Sequence, residues 1–139
     1  AGKWQPRRVD AQLVGSISPN VQLALSKHAT TEGCCVRQVY TVPETVEHYR
    51  TRHSHEFDVE EAEELLPAVL AHPLYVFVGK KSNSVTFVGE FDGEHYLMIP
   101  VKVLTHELWL ESLYIRNKRR LERSLGDMIV LYRSKRQLR

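Results

Sequence analysis

Four strand-like segments follow one another in the second half of the chain, at residues 74–78, 85–91, 95–104 and 107–115. Each is rich in β-branched or aromatic residues, and short polar turns separate them. The dipeptide Asp92-Gly93 between the second and third segments is typical of a tight hairpin. Such a run constrains the fold strongly, because short strands joined by tight turns pair with their chain neighbours. It predicts a four-stranded antiparallel meander.

A first helix is predicted before the meander, from Pro43 to Arg52 or His53. Thr41 is the expected N-cap, and Glu44 stands three residues later, which is the spacing of a capping box. Pro43 then falls in the first turn, where a missing N–H costs nothing.

A second helix is predicted to begin at Asp58, with Glu61 at the same capping spacing. Its apolar residues recur at helical intervals until His72-Pro73 ends the pattern. Pro67 is expected to kink this helix or to restart it as a new turn.

These elements predict an α+β domain, with N-terminal helices packed on one face of a four- or five-stranded antiparallel sheet. A short basic helix is expected at 116–125, near the C-terminus. The 139 residues fit one domain, 1–139. Residues 1–12 could be a linker, and residues 126–139 either a tail or part of the fold.

Several classes of protein are disfavoured by composition. No apolar run approaches the roughly 20 residues that span a bilayer, so no membrane association is expected. Cys34 and Cys35 are adjacent and cannot form a disulfide framework. The turn at 79–84 lacks the spacing of a nucleotide-binding P-loop, and Lys80 there is readily explained as a charge at a hairpin tip.

Charge is unevenly distributed along the chain. Residues 116–139 carry nine basic and two acidic residues, although the whole chain has a net charge of only +2. A basic segment on an acidic body favours contact with a polyanion such as nucleic acid. A solvated helix and a loose tail would give the same composition.

A cluster of three histidines and two arginines lies at residues 48–55. On a helix His48 and Arg52 share one face, and Tyr49 and His53 share another. An imidazole beside guanidinium groups suits a phosphodiester, because histidine moves protons near neutral pH and arginine neutralises phosphate. The same residues could instead oppose the helix dipole or pair with the acids downstream. His53 and His55 do not have the spacing of a strong metal motif.

The last strand segment places Leu108, Leu110, Ser112, Tyr114 and Arg116 on one face if it alternates regularly. A hydroxyl, a phenol and a guanidinium would then line the end of that strand. Residues of these types are also common at strand ends for structural reasons.

Read in order, these motifs resemble the phage-associated nucleases of the barnase, EndoU, colicin and RelE-like superfamily. The resemblance spans about residues 13–120. It rests on a helix ending in His48-Tyr49-x-x-Arg52-His53, a Leu-Pro-x-Val-Leu segment at 66–70 followed by His72-Pro73, and a final strand with Ser112 and Tyr114. Tyr49 stands where the family often has an aliphatic residue.

The resemblance implies a metal-independent endoribonuclease that needs no cofactor, often the toxic tip of a larger protein. It implies that His53, with His48 as second choice, transfers protons and that Ser112 and Tyr114 orient the phosphate. Arg52 and Arg116 would bind phosphate. We also expect the basic residues Lys80, Lys118 and Arg119 to contact the RNA. The family's basic position on a middle strand has no clean match, because Lys80, Lys81 and Lys102 are all candidates.

The resemblance also implies partners: RNA, with tRNA as one candidate substrate, and an acidic immunity or antitoxin protein that covers a basic cleft. A delivered toxin of this kind would act in the cytoplasm of the target cell. The alternative is a non-catalytic module that binds RNA or a protein through its basic C-terminal segment, with incidental histidines.

Overall fold

A computed structural model describes residues 10–135 of the chain. Within this range it contains four α-helices and eight strands, so the fold class is α+β, as predicted. The helices are α1 (Pro19–Lys27), α2 (Pro43–His53), α3 (Val59–Ala71) and α4 (Lys118–Ser124), and a 3-10 turn follows at Leu125–Asp127. The strands are β1 (Gln12–Ser16), β2 (Gln38–Thr41), β3 (Tyr75–Val78), β4 (Ser84–Glu90), β5 (His95–Val103), β6 (Leu108–Leu110), β7 (Tyr114–Asn117) and β8 (Val130–Arg133).

All eight strands belong to one sheet in the order β1-β2-β6-β5-β4-β3-β8, and β7 pairs with β5 beyond the end of β6. The pairs β3–β4, β4–β5 and β5–β6 are antiparallel, which confirms the predicted meander. The sheet differs from the predicted four- or five-stranded antiparallel sheet, because it has eight strands and β2 pairs with β6 in parallel.

The final predicted strand is interrupted where it passes Pro100 of β5. Leu110 pairs with Val101, whereas Tyr114 pairs with Met98, so the register moves by one residue between β6 and β7. The carbonyl of Pro100 accepts a hydrogen bond from the Glu111 amide at 2.8 Å. Since proline has no N–H to return to that strand, the ladder cannot continue regularly there.

This shift overturns the expectation that residues 108 to 116 alternate on one face. Leu108 and Leu110 pack in the larger core cluster, and Tyr114 packs against the smaller one. Arg116 pairs with Tyr96 of the smaller cluster, so it lies on the same face as Tyr114. Ser112 falls in the irregular segment between the strands.

The two core clusters lie on opposite faces of the sheet. The larger one packs α1, α2 and α3 against the side chains of Phe87, Ile99 and Leu108 and their neighbours. The smaller one packs Leu121 of α4 against β3, β4 and β5. The two predicted N-terminal helices, α2 and α3, therefore share one face of the sheet, as predicted. Helix α1, a third helix that was not predicted, packs on the same face, and the basic helix covers part of the other.

Two of the predicted helix boundaries are confirmed and one cap is wrong. Helix α2 ends at His53, and the Asp58 carboxylate caps α3 by accepting the Glu61 N–H at 3.1 Å. Thr41 does not cap α2, because it belongs to β2 and its buried hydroxyl has no hydrogen-bond partner among residues 10–135. Helix α3 does not restart at Pro67.

The chain ends are only partly covered by the structure. Residues 1–9 and 136–139 lie outside the described range, so most of the proposed linker is not addressed. Gln12 begins β1, and Val130–Arg133 pairs with β3, so this part of the proposed tail belongs to the sheet. Between residues 10 and 135, no helix is long and apolar enough to cross a membrane.

A hydrogen-bond network fastens α2 to α3. The Tyr49 hydroxyl donates to Glu63 Oε2 at 2.5 Å, and the Arg50 guanidinium donates to both Glu63 oxygens at 3.1 and 2.7 Å. Tyr49 is the one buried residue of α2. Burial, followed by the Glu63 carboxylate, raises the pKa of its phenol well above the ordinary value.

We expect Tyr49→Phe to lower the free energy of unfolding by about 1–2 kcal/mol at pH 7, because a hydrogen bond to a charged group is lost. A raised pKa in the folded state stabilises the fold below the unfolded pKa of tyrosine, about 10, and the benefit disappears at higher pH. The difference in urea midpoint between the two proteins should therefore shrink above about pH 10. Tyr132→Phe is the matched control, and equal midpoints at pH 7 for wild type and Tyr49→Phe would contradict the prediction.

Candidate active site

His53 is held at the end of α2 between two aromatic rings. Its ring centroid lies 6.2 Å from that of Tyr114 at an interplanar angle of 30°, and 6.0 Å from that of Phe57. Phe57 in turn packs edge-on against Phe91, at 5.8 Å. Only 13% of the His53 side chain is exposed. The ring is therefore positioned by packing, although it lies close to the surface.

A carboxylate orients the imidazole. Glu56 Oε2 lies 2.5 Å from His53 Nδ1, and the Glu56 backbone N–H donates to the His53 carbonyl at 2.9 Å. The turn after α2 thus brings the carboxylate back onto the ring. A carboxylate on Nδ1 sets the tautomer and the orientation of the ring, which leaves Nε2 as the position for proton exchange with a substrate.

Tyr114 supplies a protonated phenol beside this imidazole. Burial raises the pKa of Tyr114, and the nearby positive charge of Arg116 only partly opposes that effect. The hydroxyl therefore stays protonated at neutral pH and can donate a hydrogen bond to an anionic oxygen. His53 and Tyr114 are the two predicted catalytic residues that the fold brings into contact.

The remaining residues of the histidine cluster point elsewhere. His48 and Arg52 are exposed, while Tyr49 is buried and His53 half-buried, as their predicted division between two helix faces requires. Within the described part of the chain, His48 makes no contact with His53 or Tyr114. Arg52 directly precedes His53 and is exposed on the same helix face as His48.

The predicted cations fall at two ends of the sheet. Arg116 and Lys118 belong to the β7–α4 segment, next to Tyr114, and Arg119 is exposed on α4. Lys118 forms an ion pair with Glu90, and its ammonium lies 5.3 Å from the centre of the Tyr96 ring. Arg116 donates weakly to the Ser124 hydroxyl at 3.5 Å.

Lys80 lies away from this group. It belongs to the β3–β4 turn, which lies against the end of β5. The Asn83 carbonyl of this turn accepts a hydrogen bond from the Val103 amide, and Ser84 pairs with Lys102. Lys102 and Tyr96, the partner of Arg116, are six residues apart on β5, which corresponds to about 20 Å. Lys80 and Lys102 therefore lie near the opposite end of β5 from the residues that pair with β7.

Sequence reasoning missed Glu56, Phe57 and Phe91. The predicted alternative that the histidine cluster pairs with downstream acids is confirmed by the His53–Glu56 and Arg50–Glu63 contacts, but Glu56 itself was not singled out, although it follows His53 by three positions. The aromatic pair carried no such signal, because Phe57 and Phe91 meet only through the packing of α2 against the sheet.

No family model matches the chain. The search of curated proteins and the search of solved structures also found no match.

No group of three or more histidine, cysteine or acidic side chains that could hold a metal ion occurs between residues 10 and 135. The Glu56 carboxylate and the Tyr114 phenol lie at the His53 imidazole, and the Arg116 guanidinium acts on Tyr114; groups of these types move protons and bind phosphate.

Proposed function

We propose that the protein is an endoribonuclease that cleaves RNA by transesterification through the 2′-hydroxyl. The observation that carries this proposal is the His53 imidazole, oriented by Glu56 and stacked on Tyr114, beside the basic β7–α4 segment. A proton-transfer group, a phenol donor and a guanidinium on adjacent positions suit a phosphodiester.

In the proposed reaction, His53 takes the proton from a ribose 2′-hydroxyl, and the 2′-oxygen attacks the adjacent phosphorus. The bond from phosphorus to the 5′-oxygen breaks, and that oxygen takes a proton from a water molecule, to which protonated His53 then returns its own proton. The products are a 2′,3′-cyclic phosphate and a 5′-hydroxyl. Tyr114 and Arg116 would stabilise the charge that develops on the phosphoryl oxygens, and Arg52 would bind a neighbouring phosphate. DNA lacks the 2′-hydroxyl and should not be cleaved.

We also propose a family likeness for the fold and a role as a delivered toxin. Helices on one face of an antiparallel meander support a likeness to the barnase, EndoU, colicin and RelE-like nucleases. As a delivered toxin of that kind, the protein would act in the target cytoplasm, and an acidic immunity protein would cover its basic surface.

A second candidate is a non-catalytic RNA-binding module. Arg119, Arg120 and Arg123 are exposed on α4 and could contact phosphates without any part played by His53. Backbone contacts of this kind would bind RNA and leave it intact.

One assay separates the two. Purified protein would be incubated with total tRNA and with single-stranded DNA in the presence of a chelator, and fragment ends would be analysed. We expect cleavage of RNA alone, leaving 2′,3′-cyclic phosphates. Intact RNA that is retarded on a gel would favour the binding module, and RNA that is neither cleaved nor bound would contradict both candidates.

A further inference from the structure

A second pair of reactive side chains meets at the other end of the sheet. Strands β2 and β6 pair in parallel, with Val39 opposite Leu108, so the segments that precede them lie side by side. One segment carries Cys35 and the other is the β5–β6 turn with Thr105 and His106. The Cys35 amide donates to the Thr105 carbonyl at 3.4 Å, which joins the two segments.

The thiol of Cys35 faces the imidazole of His106. The thiol donates a hydrogen bond to the Thr105 carbonyl oxygen at 3.3 Å, and its Sγ lies 3.2 Å from His106 Nδ1. An unprotonated imidazole nitrogen at this distance can act as a base and take the thiol proton as the sulfur attacks a substrate. The thiolate is the nucleophilic form of cysteine.

The adjacent Cys34 has the opposite environment. It is only 3% exposed, its thiol contacts the Val36 carbonyl at 3.7 Å, and burial raises its pKa. Cys35 and His106 are both exposed. Cys35 therefore carries an accessible thiol beside an imidazole, whereas the thiol of Cys34 is buried against a backbone carbonyl.

We propose that Cys35 and His106 form a thiol-modification site that undergoes exchange with low-molecular-weight disulfides. The Cys35 thiolate attacks one sulfur of the small disulfide, and a mixed disulfide forms on Cys35. The original sulfur–sulfur bond breaks, and the departing thiolate takes up the proton held by His106. The small disulfide is the oxidant, so no other redox partner is required.

This site goes beyond the proposed ribonuclease function and does not depend on it. Val103, at the end of β5 near His106, pairs with Leu108, whereas Tyr114 pairs with Met98 five residues earlier on β5. Modification of Cys35 can therefore be measured in a protein with or without nuclease activity.

The whole chain would be reacted with an aromatic disulfide that releases a coloured thiolate, which gives the rate. It would also be reacted with oxidised glutathione, and mass spectrometry would locate the adduct. We expect one fast thiol per chain at pH 7, lost in Cys35→Ser and retained in Cys34→Ser. Both His106→Asn and His106→Ala should slow the reaction by about 3- to 10-fold, because no base then lies beside the thiol to take its proton. His72→Asn, a change at an exposed histidine at the end of α3, should leave the rate unchanged.

Melting temperatures measured on the same samples would show that the His106 variants remain folded. If a folded His106 variant reacts as fast as the wild type, His106 does not activate the thiol and the proposal fails. If the adduct forms on Cys34, the assignment of the site is wrong.

Discussion

Replacement of His53 by alanine is expected to lower the rate of RNA cleavage by about 10²- to 10⁴-fold, the usual contribution of one proton-transfer group. The imidazole is the group beside Tyr114 best suited to exchange a proton at neutral pH, and its Nδ1 is already occupied by Glu56. Initial rates of cleavage of a labelled RNA under single-turnover conditions would measure the loss without interference from product release.

His55→Ala is the matched control, because it removes an exposed histidine two residues away and should leave cleavage unchanged. Glu56→Gln should lower the rate less than His53→Ala and should alter its pH profile, since the carboxylate acts through the imidazole. Tyr114→Phe keeps the ring stacked on His53 and removes only the phenol donor, with an expected loss of about 10²- to 10³-fold. Cleavage by folded His53→Ala at the wild-type rate would remove His53 from the mechanism.

Gly89→Ala is expected to lower the free energy of unfolding by about 1–3 kcal/mol, the cost of overpacking a close contact. Gly89 lies in β4 directly beneath α3, and a Cβ there would sit 2.4 Å from Cγ2 and 2.7 Å from Cγ1 of Val69. Because both Val69 methyl groups are too near, rotating that side chain cannot relieve the clash. Helix α3 would have to move away from the sheet.

A double-mutant cycle tests this cause. Val69→Ala alone removes buried methyl groups and destabilises the protein, but in the Gly89→Ala background it makes room for the new Cβ. The double variant should therefore be more stable than the sum of the two single effects by about 0.5–3 kcal/mol. Gly126→Ala is the control, since a Cβ at Gly126 meets nothing within 4 Å. Urea midpoints that are simply additive would show that Val69 is not what excludes a side chain at position 89.

The elements that could be predicted correctly are those with local signals. Helix α2 was placed between Pro43 and His53, and the Asp58 cap and the meander were recognised, because caps, periodicity and tight turns act over a few residues. The separation of His48 from His53 follows from helical geometry alone. Glu56 could also have been found, since it follows His53 by three positions.

The tertiary structure decided which strands pair and which side chains come into contact. Strands β1, β2 and β8 obtain their partners from distant parts of the chain, and pairing over such distances has no local signal. The one-residue shift opposite Pro100 changed the faces of Tyr114 and Arg116, because regular alternation holds only while the ladder is unbroken. The contacts of His53 with Tyr114 and of Cys35 with His106 arise in the same way. The sequence by itself determined which residues could carry chemistry and where the local helices and hairpins begin, while long-range strand pairing and packing decided which of those residues meet.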